Sequence, residues 1–250
     1  MSLRELRETP AARGDFPCFE LQEWASEFNL TAGVTARGAD FGLASQEPAG
    51  AVLDRWRRLR HALRPAFEGF VVGHQCHGTD LAVHQAPARG WRIVDATDGH
   101  LTGESGYLLM VSVADCVPVY LAAPGSAWFG LVHAGWRGVA GGIVEEGISQ
   151  LARLAGLLAS DIVIHCGVSI CGDCYEVGPE VRLAVLGAST AGIGQLDLRE
   201  AISQRAHRAG VGRVTRSSWC TAHDRDRFYS HRASAGGDGR MLAYLGRPLA

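Results

Sequence analysis

The chain has 250 residues, of which 47% are hydrophobic and 20% charged, so it is long enough and apolar enough to bury a substantial core. Its formal net charge of −2 gives no basis for a nucleic-acid surface or an anionic-membrane partner. Its seven cysteines are an odd number in a chain of a size that does not need disulfides. This count favours free thiols, a reducing compartment and a cytoplasmic location.

The N-terminal stretch has no apolar region of the kind found in secretory signals, and we expect residues 1–16 to be a flexible segment. The most apolar stretch of the chain is residues 107–123. It is interrupted by Asp115 and Pro118 and is too short for a comfortable membrane span. We therefore expect no membrane partner.

A basic stretch, "DRWRRLRHALR", is the first clear helix pattern. Val52, Trp56, Leu59 and Leu63 recur at helical spacing, which predicts an amphipathic helix with its arginines in solvent rather than a nucleic-acid surface.

Strand patterns follow in the middle of the chain. Residues 67–76 and 79–86 read as two strands around a tight turn at Gly78. Residues 106–114 form a nearly continuous apolar run, typical of a strand buried on both faces. Further patterns predict a strand over 126–133, a helix over 139–158 and a strand over 161–170.

Two helices with recognisable termini end the pattern. Pro179 occupies the expected first position of one, where its missing N–H costs nothing. Asp197 and Glu200 form a capping-box pattern at the start of the other, and Gly210 closes it. No repeat, linker or change in composition marks a domain boundary. The sequence predicts one α/β domain of mixed character over residues 1–250.

Three strand-like runs end close to a side chain that can bind a metal: His77, Cys116 and His133. Two imidazoles and a thiolate are preferred zinc ligands, and a catalytic zinc needs three protein ligands and one open position. The separations are too long for a zinc finger but suit neighbouring strand ends. Spacing alone leaves two alternatives open. One is a buried cysteine with loop histidines, and the other is a Cys116–His133 nucleophile–base pair.

The remaining cysteines and histidines give weaker signals. Cys171 and Cys174 form one C-x-x-C without a second pair, so with Cys166 they are interpreted as small buried cysteines rather than a structural zinc site. His74 and Cys76 alternate with His77 along an extended strand and should face its other side, behind the site or in the core. Walker, dinucleotide and G-x-S-x-G motifs are absent.

Seven short motifs occur in the order found in the YfiH-like family, and the chain resembles that family from about residue 33 to about 245. They are "QCHG", "DATDGHLT", "VADCVP", "VHAGWRG", "CYEVG", "LDLREAI" and "CTAHDRDRFYSHR…GR". The resemblance implies a zinc site formed by His77, Cys116 and His133. It also implies a single α/β domain of packed mixed sheets with outer helices, in a topology shared with cysteine-hydrolase-like proteins.

The resemblance implies a zinc-dependent purine nucleoside phosphorylase acting on adenosine, inosine, guanosine or methylthioadenosine, with adenosine deaminase activity. Its small-molecule partners would be a nucleoside and phosphate. The alternatives are a copper-dependent polyphenol oxidase (laccase-like), a hydrolase that edits cell-wall precursors at the same site, and a non-enzymatic interaction protein with structural zinc. Copper could occupy the same ligands, although one His/Cys/His set is too few for a multicopper centre.

Further residues are candidates for supporting roles. Arg37, Arg137 and Arg232 could hold phosphate, although Arg137 could equally pack against Trp136. Asp115 could act as a base, orient a ligand or hold a turn. The glycines around His133 would let the backbone approach metal and substrate closely.

The C-terminal motif contains two further candidate residues. Asp224 and His231 could line the same pocket or fix the fold by hydrogen bonds. Residues 169–174, "SICGDC", depart from the family at a Gly-Pro pair, so the sequence leaves the shape of this loop undetermined.

Overall fold

Two seven-stranded sheets lie face to face, with helices on their outer surfaces, in a computed structural model that describes residues 4–42, 47–86, 89–187 and 192–249. In chain order the strands are β1 (Arg4–Glu5), β2 (Thr9–Arg13), β3 (Phe16–Glu20), β4 (Thr31–Thr35), β5 (Gly69–Gly73), β6 (Leu81–His84), β7 (Gly90–Val94), β8 (Gly99–Thr102), β9 (Tyr107–Val113), β10 (Val117–Ala122), β11 (Phe129–Ala134), β12 (Val163–Cys166), β13 (Glu176–Val177), β14 (Gly194–Gln195), β15 (Arg213–Arg216) and β16 (Met241–Gly246). The helices are α1 (Gln22–Phe28), α2 (Ala49–Leu63), α3 (Trp136–Gly141), α4 (Ile143–Ala155), α5 (Pro179–Leu186) and α6 (Leu198–Arg208).

Both large sheets mix parallel and antiparallel neighbours. The first sheet has the order β1-β15-β12-β10-β11-β8-β6, and the second has the order β2-β3-β4-β16-β9-β5-β7. In the first sheet β10 is antiparallel to both of its neighbours, whereas β12 and β15 are parallel. The short strands β13 and β14 pair only with each other among the described residues. The mixed α/β class expected from the sequence is confirmed.

Three layers of apolar side chains hold the sheets and helices together. Between the sheets, Tyr120 and Phe129 of the first sheet pack with Leu109 of the second. Ile148 of α4 lies in the layer that covers the outer face of the first sheet, and Trp56 of α2 lies in the layer on the second. In the described part of the chain, no helix combines the length and the apolar character that crossing a membrane requires.

The helix predictions are confirmed where the sequence shows a buried apolar stripe or a recognisable N-terminal residue. All four stripe residues of α2 are buried, as amphipathic spacing requires. Pro179 is the first residue of α5. The Asp197 carboxylate accepts the backbone amide of Glu200 at 3.1 Å and caps α6. The helix predicted over 139–158 is instead two helices, α3 and α4, separated at Gly142, whose φ is +91°.

The predicted hairpin around Gly78 does not form, because β5 and β6 belong to different sheets. The loop between them crosses from the second sheet to the first. Its backbone amides at Cys76, His77 and Gly78 bond to the carboxylate of Asp98 instead of closing a turn. The loop therefore carries His77 to the junction of the two sheets.

The expectation of a flexible segment over residues 1–16 is corrected for the described residues from Arg4 onward. Strand β1 pairs with β15 and strand β2 pairs with β3. Between them Glu8 is buried, and its carboxylate accepts the hydroxyl of Ser217 at 2.6 Å. A buried carboxylate with hydrogen-bond partners holds its segment in place, because exposing one partner alone would leave the other unsatisfied.

Candidate active site

The structure brings together the three side chains that the sequence predicts as metal ligands. His77 lies in the loop after β5, Cys116 directly precedes β10, and His133 lies near the end of β11. Their ligand atoms all lie within 4.8 Å of one another. The thiol of Cys116 is 3.9 Å from Nε2 of His77, and the two imidazole rings are 4.9 Å apart between centroids. The three elements therefore meet at one site.

Left-handed backbone conformations occur in two of the segments that carry these side chains. His77 has φ +59° and Asp115, directly before Cys116, has φ +85°. Residues other than glycine rarely adopt such angles, and they persist where surrounding contacts hold them. Asp98 provides those contacts for His77. For Asp115 they come from Thr221, whose hydroxyl donates at 2.6 Å, and from the backbone amide of Arg232 at 2.7 Å.

Asp98 is a site residue that the sequence reasoning did not select. It is fully buried, and it accepts a hydrogen bond from Nδ1 of His133 at 2.8 Å while holding the loop of His77. This bond leaves Nε2 of His133 free to bind a metal, in the carboxylate–histidine arrangement that orients metal-ligating imidazoles. The only signal in the sequence was the position of Asp98 inside the "DATDGHLT" motif.

Electrostatics favour opposite charges on Cys116 and His133. Burial by itself would raise the pKa of Cys116, but His133 and His77 lower it to about 6. Burial by itself would lower the pKa of His133, but Cys116 and Asp98 raise it to about 9. Both shifts favour a thiolate beside an imidazolium. The thiolate is the form of cysteine that binds metals and attacks electrophiles.

A glycine makes room for this cluster. A Cβ atom on Gly135 would lie 2.9 Å from Cδ2 of His77 and 3.1 Å from the sulfur of Cys116. Any larger residue would push these two ligands away. The two-histidine, one-thiolate donor set, the fixed imidazole and this close approach all fit a metal ion of the zinc type.

A cavity of about 870 Å³ opens in front of the three ligands, which all contribute to its wall. Ligand sites for small molecules commonly measure about 300–1,000 Å³. Polar side chains that complete this wall include Gln75, Ser112, His74, Tyr229, His231 and Arg240. The cluster thus has three side chains able to bind a metal and one face toward a cavity of ligand size.

None of the three arginines predicted to bind phosphate is among the described residues that line the cavity. Arg37 pairs with Asp238 at 2.8 Å, Arg137 packs 4.3 Å over the ring of Trp136, and the guanidinium of Arg232 lies 5.0 Å over Tyr175. Of these partners, Asp238 does line the cavity.

Besides His77 and His133, the basic side chains that the described residues place on the wall are His74, His231 and Arg240. His231 was expected there, whereas His74 and Arg240 were not. Strand β5 ends at Gly73, so strand alternation does not extend to His74 or Cys76. Both are exposed, and the thiol of Cys76 lies 3.3 Å from Asp98. Asp224 accepts the amide of Cys220 at 3.1 Å and fixes the C-terminal loop.

Two of the cysteines expected to be small and buried have a different environment. Cys166 is fully buried, as expected, but Cys171 and Cys174 are only partly buried. They converge with Cys220 and His223, and the four ligand atoms lie within 4.8 Å of one another. The second pair that seemed missing is the C-x-x-H of "CTAH", which the sequence reasoning overlooked.

The fold and the site define a single-domain α/β protein in which three side chains able to bind a metal lie beside a cavity of ligand size. The family model described as multi-copper polyphenol oxidoreductase laccase matches residues 31–248. The chain belongs to this family, which is the YfiH-like family that its motifs resemble.

Three relatives show how far the similarity extends. Purine nucleoside phosphorylase YlmD from Geobacillus stearothermophilus is 34% identical over 227 residues, 83% of each chain. Its crystal structure matches with a TM-score of 0.87 and 30% identity, covering 96% of this chain and 98% of that one. A purine nucleoside phosphorylase from Deinococcus radiodurans is 36% identical over 232 residues, 88% of each chain. Adenosine deaminase RL5, from an unknown prokaryotic organism, is 29% identical over 249 residues, 90% of this chain and 95% of that one.

Proposed function

We propose that the protein is a zinc-dependent purine nucleoside phosphorylase that also deaminates adenosine. The observation that carries the proposal is the convergence of His77, Cys116 and His133 on the wall of a cavity of about 870 Å³. The relatives named purine nucleoside phosphorylase and adenosine deaminase support the substrate class.

In this proposal His77, Cys116 and His133 hold Zn²⁺. Bound there, the ion would supply Lewis-acid chemistry for deamination at the purine C6. Asp98 keeps the Nδ1 proton of His133 in place and so points Nε2 toward the site. Asp115 holds the turn before Cys116 through its bonds to Thr221 and Arg232, which fixes the direction of the thiolate.

The phosphate would bind on the part of the wall formed by His231 and Arg240. The guanidinium of Arg240 lies 3.4 Å from Nδ1 of His231, and both side chains face the cavity. A guanidinium can donate two parallel hydrogen bonds to a phosphate, which suits holding this nucleophile against the sugar carbon. Arg37 would act indirectly, because it holds Asp238 on the same wall.

The experiment that tests the proposal is turnover of adenosine with and without phosphate. Zinc-loaded protein should convert adenosine to inosine in phosphate-free buffer, whereas release of the free base should require added phosphate. Base release at the same rate without phosphate would indicate hydrolysis and contradict the phosphorylase assignment. No turnover of any purine nucleoside by zinc-loaded protein would contradict the substrate class.

The role of the thiol is tested separately by Cys116→Ala. If Cys116 is a metal ligand, the variant should lose zinc from this site and activity together, as should His77→Ala and His133→Ala. A Cys116→Ala protein that keeps this zinc but has no activity would make the thiol a nucleophile with His133 as its base.

The family's oxidase description motivates one alternative, a copper-dependent phenol oxidase. Multicopper oxidation needs an electron-accepting copper and further coppers that reduce oxygen, each held by several imidazoles. The two metal-capable clusters in the described residues supply three imidazoles between them. Nucleoside turnover should therefore fall when copper replaces zinc, and any phenol oxidation should stay slow. Efficient oxygen consumption with phenols by copper-loaded protein, without nucleoside turnover by the zinc form, would overturn the proposal.

A further inference from the structure

Cys171, Cys174, Cys220 and His223 form a second cluster of side chains able to bind a metal, and it shares no residue with the candidate active site. Its four ligand atoms lie within 4.8 Å of one another. The sulfur of Cys174 is 3.1 Å from Nε2 of His223, and the sulfur of Cys171 is 3.8 Å from Nδ1. We propose that this Cys₃His cluster binds a structural Zn²⁺ ion.

The donor set and its arrangement select the metal. Three thiolates and one imidazole are the ligands of tetrahedral zinc, whereas magnesium and calcium prefer oxygen. A zinc–sulfur distance of about 2.3 Å places two tetrahedral sulfurs about 3.8 Å apart. The four ligand atoms, all within 4.8 Å of one another, therefore need shifts of only about 1 Å or less to surround an ion. Binding releases the thiol protons to solvent and leaves three thiolates and one neutral imidazole around the ion.

The local backbone presents these four side chains as two spaced pairs. Cys171 and Cys174 lie at either end of a single 3-10 turn, where the amide of Cys174 bonds to the carbonyl of Cys171 at 3.2 Å. Cys220 and His223 lie on a second turn with the same two-residue spacing. The amide of Cys171 donates to the sulfur of Cys220 at 3.3 Å, as backbone amides commonly do to structural thiolates.

A disulfide between Cys171 and Cys174 is the competing explanation. It would use two sulfurs and leave the third sulfur and the imidazole of His223 without a role. His223 contacts both Cys171 and Cys174, and Cys220 accepts an amide of the same turn, so a central cation gives all four groups a role, which a disulfide does not.

Four protein ligands close the coordination sphere, so the role is structural rather than catalytic. The site joins the loop before β13 to the C-terminal loop, and a residue of each loop donates a hydrogen bond to Asp115. The amide of Ile170, next to Cys171, donates to the Asp115 carbonyl at 3.1 Å. The hydroxyl of Thr221, next to Cys220, donates to its carboxylate at 2.6 Å. The zinc would thus fix the segment that leads directly into Cys116.

Metal content of the purified, reduced and zinc-reconstituted full chain tests the proposal. The unmodified protein should hold two zinc ions per chain. Cys174→Ser and Cys116→Ala should each hold one, and the double variant should hold none. Cys18→Ala, which removes a buried thiol outside both clusters, should keep two. Cys174→His keeps a tetrahedral Cys₂His₂ set and should also keep two.

Cobalt substitution gives a readout that does not depend on the variants folding. Thiolate-to-cobalt absorption should show one site with three thiolates besides one with a single thiolate. The proposal is overturned if the unmodified protein binds one metal that Cys116→Ala removes, if Cys174→Ser keeps both ions, or if Cys171 and Cys174 form a disulfide in freshly prepared protein. None of these readouts uses nucleoside turnover, so failure here is distinct from failure of the proposed function.

Discussion

The carboxylate of Asp98 lies 2.8 Å from Nδ1 of His133 and also accepts the backbone amides of residues 76–78. One side chain therefore orients one proposed metal ligand and fixes the loop that carries another, His77. Burial works against the charge of Asp98, but His133 and the amides hold its pKa well below the usual range. The residue stays an anion throughout the range in which the protein would act.

Asp98→Asn should weaken zinc binding at the active site by roughly 10- to 100-fold, the usual effect of losing such a partner of a metal-ligating histidine. The amide can still accept backbone N–H groups, but it no longer supplies the negative charge beside His133. The measurement is the zinc concentration that gives half-maximal nucleoside turnover. Asp80→Asn removes an exposed carboxylate from the same loop and should leave this concentration unchanged. Equal behaviour of the two variants would contradict the assigned role.

Gly135→Ala tests whether the close approach of the backbone is required. The added Cβ would lie 2.9 Å from His77 and 3.1 Å from the sulfur of Cys116, so at least one ligand must move. Turnover should fall by roughly 10- to 100-fold, because displacements near 1 Å have effects of this size at catalytic centres. Gly50→Ala in α2 is the control, since its Cβ would meet nothing within 4 Å. Full activity and full zinc content in Gly135→Ala would show that the cluster tolerates the displacement.

The sequence predicted those parts of the fold and site that depend on local pattern. The buried stripe of α2, Pro179 at the start of α5 and the Asp197 cap follow from spacing and hydrogen bonding within one helix. The convergence of His77, Cys116 and His133 was a hypothesis from strand ends that the family motifs strengthened. Their identity as metal ligands stays a prediction.

Apart from that convergence, the relationships between distant segments could not be predicted from the sequence. The residues of β5 do not indicate which strand it pairs with, so a hairpin with the next strand, β6, was the natural expectation. The structure shows that this expectation is wrong. Asp98 and Arg240 gain their positions only when separate loops converge. The Cys₃His cluster was missed because the pair that completes its C-x-x-C, Cys220 and His223, lies far along the chain and includes a histidine.

Arg240→Gln should separate the two proposed reactions. Because Arg240 faces the cavity beside His231, its loss should raise the KM for phosphate by about tenfold or more, the effect of a hydrogen bond to a charged group. Deamination in phosphate-free buffer should be unchanged. Arg37→Ala should also raise the phosphate requirement and spare deamination, through loss of its hold on Asp238.

Arg137→Gln is the matched control for these arginines, since Arg137 packs on Trp136 outside the described cavity wall. It should leave both reactions unchanged. Equal loss of phosphorolysis and deamination in Arg240→Gln would mean that Arg240 holds the nucleoside or the loop of residues 238–239, whose carbonyls it also contacts. The phosphate would then have to be assigned elsewhere.

Two buried histidines in the paired strands β6 and β8 predict how the free energy of unfolding depends on pH. Nε2 of His84 lies 3.2 Å from Nδ1 of His100, and both rings are almost fully buried. Burial lowers the pKa of His84 to about 4. Burial and the repulsion by His84 lower the pKa of His100 to about 3, although the negative charge of Asp98 acts in the opposite direction. Both rings are therefore neutral in the folded protein at neutral pH.

The direction in which the free energy of unfolding changes with pH follows from proton binding by the folded and unfolded chains. Between pH 6.5 and about 4 the unfolded chain binds protons at these two histidines and the folded chain does not, so the free energy of unfolding falls as the pH falls. Each group contributes up to about 1.4 kcal/mol per pH unit. His84→Gln should make this slope shallower by about 1 kcal/mol per pH unit in urea unfolding at pH 6.5, 5.5 and 4.5.

Comparison with a second variant separates this effect from metal loss in acid, which also destabilises the protein. His61→Gln removes an exposed imidazole from α2 and leaves both metal-capable clusters intact, so its slope should equal that of the unmodified protein. Metal loss contributes equally to His61→Gln and His84→Gln, and it cancels in their difference. Equal slopes for the two variants would show that His84 takes up its proton without cost in the folded state, and the burial of the His84–His100 pair would then carry no penalty in acid.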